Sequence, residues 1–172
     1  MNSKSINRNV WALLTLVVFV SALAFAAQPG TVQGKITFNG KTVPLSFVYA
    51  WKELDYGGKK VKTNLLLSAE KVPAAAMAEM FGLIDLAKAG KLHGVEVTFN
   101  ADGDISSGML YTDATEGGYV GASGMHNFEK KVMTSTSIEG RLSMEKEDNS
   151  LGLKFFYDAT FKTPIAPVRE AK

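Results

Sequence analysis

A mainly β fold, an antiparallel sandwich or barrel of about eight strands with one helix packed on it, is predicted by three features of the sequence. Apolar residues alternate with polar ones over most of the chain after residue 30, turn dipeptides punctuate that alternation, and a single stretch near residue 80 switches to helical spacing.

The elements follow in order. From Thr31, the residues Val32, Gly34, Ile36 and Phe38 share one face, opposite Gln33, Lys35 and Thr37. Asn39-Gly40 then accepts positive φ at both centres of a tight hairpin turn, and the chain is expected to return as one arm through Val43 to Glu53. In that arm Leu45, Phe47, Tyr49 and Trp51 lie on one face, and Pro44, which lacks a donor, marks an edge. Asp55-Tyr56-Gly57-Gly58 closes the segment as a loop. Val61 to Ala69 is the next strand, with Leu66 on its alternate face pointing to cover on both sides.

The cover is a helix. Pro73 stands at its first position, Ala74, Ala75 and Ala76 favour it, and Gly90 ends it. Met77, Met80, Phe81 and Ile84 recur at the spacing of one buried stripe, leaving Glu79 outside. Val95, Val97 and Phe99, a turn over residues 100–103, and Ile105 to Tyr111 form a second hairpin. Thr115 to Gly124 carries four glycines in ten residues, which fits a loop or a glycine-broken strand. Strands are expected at His126 to Met133, Ser137 to Glu145 and Leu151 to Thr163, the last ended by Pro164 and Pro167.

The first 26 residues read as a cleaved secretory leader. Lys4 and Arg8 precede the apolar run Val10 to Val20, and Ala24-Phe25-Ala26 offers a small-residue cleavage site before polar Gln28-Pro29-Gly30. A retained anchor is the rival, since Val10 to Ala27 is at the short end of a bilayer span; the cleavage site and the polar residues after it favour removal. Removing 26 residues from 172 leaves 146, the length of one β-rich domain spanning 27–172. The formal charge of +2 is carried by Lys4 and Arg8, so the remainder is neutral, which argues against nucleic acid as a partner. With no cysteine, neither lipid attachment nor a disulfide is available, and a periplasmic or secreted location without covalent staples is expected.

Chemistry is sparsely signalled. His93 and His126 are the only histidines; His93 has the parity of Val95 and belongs at the core rim, while Glu129 points away from His126 across a strand. Asn100-Ala101-Asp102-Gly103-Asp104 has calcium-loop alternation, but Ile105 and Tyr111 stand where that loop needs glycine and glutamate, so a hairpin turn is the better reading. No serine sits in a nucleophile elbow. Neither a metal nor a cofactor is expected. The aromatic rows Phe47, Tyr49, Trp51 and Phe155, Tyr157, Phe161 are core if they are packed and a pocket lining if a barrel is left unfilled. Tyr49, Trp51, Tyr56, Tyr111, His126 and Phe155 are accordingly the candidate binding residues, with the polar tips of tyrosine and tryptophan suited to a rim.

Gly34-Lys35-Ile36-Thr37-Phe38-Asn39-Gly40-Lys41, then Val48-Tyr49-Ala50-Trp51, then Leu65-Leu66-Leu67-Ser68 before Val72-Pro73, resembles exported bacterial β-rich domains that carry no assigned function. The resemblance covers residues 31–163 in layout. It implies an exported β-domain and transfers no site residue.

The expectation is therefore an exported, soluble binding or interaction module without chemistry of its own, its partner a small apolar ligand or an envelope protein, with no membrane span after cleavage. Two alternatives stand beside it: a hydrolase or isomerase with its site near the glycine-rich loop, and a structural accessory of an envelope complex.

Overall fold

The computed structural model describes residues 29–54, 57–149 and 152–168. The expected leader, Tyr56, Leu151 and the tail from residue 169 lie outside these. The described chain is mainly β and mostly antiparallel, as its alternation predicts, with ten strands and two short helices rather than eight and one. No helix among the described residues is long and apolar enough to cross a membrane.

Strand β1 (Thr31–Phe38) turns at Asn39 and Gly40, with φ of 47° and 83°, into β2 (Lys41–Leu45), the expected tight turn. The return arm is not one strand. At Ser46 the chain leaves β1, and β3 (Phe47–Leu54) pairs instead with β4 (Val61–Ser68). The crossing is tied by the Ser46 N–H, which donates to the Ser68 carbonyl at 2.9 Å. Pro44 therefore lies in an edge strand, where its missing donor costs nothing.

Beyond β4 come α1 (Ala74–Ala78) and α2 (Gly82–Lys88), then the hairpin β5 (Gly94–Phe99) and β6 (Ile105–Tyr111). Asn100 shapes that turn, its side-chain carbonyl accepting the N–H groups of Asp102 and Asp104, which accounts for the calcium-like alternation. The glycine-rich stretch holds both a loop and a strand: β7 (Tyr119–Gly121) pairs with the end of β6. β8 (Asn127–Met133), β9 (Ser137–Ser143) and β10 (Phe155–Val168) complete the chain.

The longest strand, β10, is the seam of the fold. Phe155 to Lys162 pair with β1 on one side, Asp158 to Pro164 pair with β9 on the other, and Ile165 to Val168 run parallel to β3. The prolines do not end the strand as expected. Pro167 falls where the register with β3 shifts, so its missing N–H leaves no ladder bond unmade. The sheet order is β2-β1-β10-β3-β4-β5-β6-β7, with β9 and β8 branching from β10, and the sheet is not closed.

Two apolar clusters result. The interior one packs Ile36, Leu65, Val97, Phe99, Leu142, Phe155 and Tyr157 between the two halves of the sheet. The second lies on the outer face of β3, β4 and β6, where Tyr49, Trp51, Leu66 and Tyr111 are covered by Val72, Met77, Leu83, Ala87 and Leu92. Leu45 joins the interior cluster, not the face of Tyr49 and Trp51, because the break at Ser46 separates them.

The helical layer corrects the expected stripe. The helix breaks at residues 79–81, and Gly82 packs so closely on Ala76 that a β-carbon would collide with its backbone. Met77 is buried and Ile84 half-buried, but Met80 and Phe81 stand 88 % and 60 % exposed at the break. Glu79 is exposed as expected, and Gly90, at φ 66°, terminates α2.

Candidate functional site

The sequence-predicted binding residues do not form one site. Tyr49, Trp51 and Tyr111 lie in the cluster under the helices, Phe155 lies in the interior cluster on the opposite face, His126 approaches that interior, and Tyr56 is outside the described residues. The Tyr49 hydroxyl accepts the Val72 N–H at 3.1 Å, tying the start of the helical segment to the sheet. The Tyr111 hydroxyl donates to Glu96 at 2.7 Å, and burial together with that carboxylate raises its pKa far above the usual tyrosine range. These polar tips serve internal contacts.

His126 packs on the glycine at position 108 and is hydrogen-bonded through Nδ1 to the Tyr157 hydroxyl. Burial pushes its pKa down to about 4 and raises that of Tyr157, so both are neutral at pH 7. Nε2 is sealed from solvent with no hydrogen-bond partner among the described residues. As placed, neither ring nitrogen is open to solvent, Nδ1 being engaged by Tyr157 and Nε2 enclosed. Glu129 turns away to Arg141.

His93 has the richer surroundings. Its Nδ1 lies 2.8 Å from Glu70 and its Nε2 3.0 Å from Asp113, while the His93 backbone N–H donates to the second Glu70 oxygen at 2.8 Å. Burial opposes a charge on the ring, but hydrogen bonds to the two carboxylates outweigh it and hold the pKa above the ordinary 6.5. Glu70 and Asp113 lie 23 and 20 residues from His93 in sequence, so no local spacing could have announced them. No group of three or more acidic or histidine side chains among the described residues is arranged to hold a metal ion.

A groove of about 730 Å³ lies on the outer face of β1, β10, β9 and β8. Its floor consists of cross-strand rows that the register dictates. One row runs Thr31, Lys162, Glu139, and the next runs Gln33, Thr160, Arg141, Glu129. Lys131 and Lys162 (3.3 Å) both pair with Glu139, whose pKa the Lys131 hydrogen bond lowers first and Lys162 further. Arg141 donates from Nε and Nη2 to the two oxygens of Asp158, at 2.8 and 2.7 Å, and from Nη1 to Glu129 at 2.8 Å. The fork on Asp158 holds that carboxyl below its usual range. Alternation along these strands sends Phe161 inward and Thr160 and Lys162 outward, so one strand builds both core and groove.

Compared with family models, with curated proteins and with solved structures, the chain finds no match.

Proposed function

We propose that the protein is an exported binding module without chemistry of its own, and that it takes an extended polar segment of an envelope protein in the groove across β1, β10, β9 and β8. The observation that carries this reading is where space is left. The interior aromatics are packed against one another, whereas the groove is open to solvent and lined by charges of both signs beside Val32 and Phe161.

Such a lining suits a chain that carries both donors and acceptors. Ion pairs at a solvated surface contribute little, because water screens them, so Lys131–Glu139 or Arg141–Glu129 exchanges for contacts with a ligand at small cost. The apolar small ligand anticipated from the aromatic rows is less well served, since Phe155 and Tyr157 have no exposed surface.

The test is selection from a displayed library of envelope-protein peptides, followed by titration of the selected peptides. They are expected to carry acidic and basic residues together, and the Arg141→Ala, Lys162→Ala double variant should weaken them at least tenfold with the fold retained. Peptides that bind this variant as well as the wild type would remove the groove from consideration.

A further inference from the structure

Three separate crossings of one end of the sheet meet at a single imidazole. Glu70 lies in the turn after β4, four residues before α1; His93 lies between α2 and β5; Asp113 is the second residue of the segment that leads from β6 to β7. That last segment leans on the helical layer, for Gly118 lies against the backbone of Ile84 and Lys88, and Gly90 faces the Asp113 carboxylate. Both ends of the helical layer and the loop above it are thus fastened through His93.

The fastening depends on a proton. A carboxylate faces each ring nitrogen, and carboxylates only accept. A neutral imidazole has one N–H and one lone pair, so it can satisfy one carboxylate and must present its lone pair to the other. Only the imidazolium donates to both.

We propose that His93 is a proton-operated latch: charged, it pins the helical layer and residues 112–118 to the sheet, and on losing its proton it lets them lift from Tyr49, Trp51 and Tyr111. The charged neighbours are Glu70 from the β4 turn, Asp113 after β6, and Lys41 of β2, which acts on Asp113; the Phe38 ring from β1 stands 6.3 Å from the imidazole and carries no charge. The two acids outweigh burial, which places the release above pH 6.5. The helices of the layer add little rigidity of their own. Helices of five and seven residues do not hold their shape unaided, and neither has a side-chain cap at its N-terminus.

Amide exchange of the full chain, corrected for the intrinsic effect of pH, tests this alongside an NMR titration of the His93 ring. Protection of residues 70–93 and 112–118, relative to β4 and β5, should fall at least tenfold between pH 6 and pH 9, with its midpoint at the His93 titration. His93→Gln should leave both segments weakly protected at every pH. Asp113→Asn, a change at a half-exposed side chain, should move the midpoint to lower pH. Protection that does not change with pH, a pH dependence that survives in His93→Gln, or an unmoved midpoint in Asp113→Asn would each overturn the latch. If His93→Gln fails to fold, the Asp113→Asn midpoint decides alone.

Discussion

Gly108 of β6 and the imidazole of His126 compete for one volume: a β-carbon at residue 108 would collide with Nε2, Cδ2 and Cε1 of the ring. The ring cannot withdraw without giving up Tyr157. Gly108→Ala is therefore expected to destabilise by about 1–3 kcal/mol, the usual cost of overpacking. Gly121→Ala, whose β-carbon meets nothing within 4 Å, should leave the urea midpoint nearly unchanged.

The same histidine sets an acid dependence of stability. Burial holds the native pKa at about 4, whereas an unfolded histidine takes its proton near 6.5. Between these values the unfolded chain binds a proton that the native chain refuses. The part of stability that His126 contributes should be complete above pH 6.5, fall by about 3 kcal/mol towards pH 4, and then level off. His93, whose native pKa is raised, acts in the opposite sense, its contribution full below pH 6.5 and lost as the pH rises above it. Asp113 and Asp158, both held low by their partners, add their losses only as pH falls below their ordinary value of 3.8. Urea titrations at pH 7.5 and 4.5 isolate the His126 part by comparison with His126→Asn: on going to pH 4.5 the wild type should lose about 2–3 kcal/mol more than the variant, in which the His93 contribution is the same.

Two phenylalanines should respond in opposite ways to truncation. Phe155 has no exposed surface, so Phe155→Ala is expected to cost about 3–5 kcal/mol. Phe81 stands 60 % exposed at the helix break, and Phe81→Ala should stay within about 0.5 kcal/mol of wild type. A Phe81→Ala loss comparable to that of Phe155→Ala would mean that α1 and α2 form one continuous helix with a buried stripe.

Export is tested by mass. Protein recovered from the periplasm of a bacterial host should begin at Ala27 and contain 146 of the 172 residues. Full-length chain in the membrane fraction would identify the apolar run from Val10 as an anchor instead.

Much of the secondary structure was legible because its causes are local. Alternation at Val32, Ile36 and Phe38, the Asn39-Gly40 turn, the hairpin about Asn100 and the stop at Gly90 each follow from residues within a few positions of one another. The helix from Pro73 was legible only in part, since the spacing of Met77, Met80, Phe81 and Ile84 says nothing of Gly82 pressing on Ala76.

The sequence by itself determined that this chain forms strands with two-sided apolar patterns, because periodicity reports which side chains share a face. Only the tertiary structure decided which faces meet. The switch at Ser46, the parallel run of Ile165 to Val168 beside β3, and the separation of Tyr49 from Phe155 all depend on pairing between distant strands. The contacts of His93 with Glu70 and Asp113, and the charged rows of the groove, arise in the same way. Pairing across a hundred residues is chosen by the packing of whole faces, and no short stretch of sequence contains that choice.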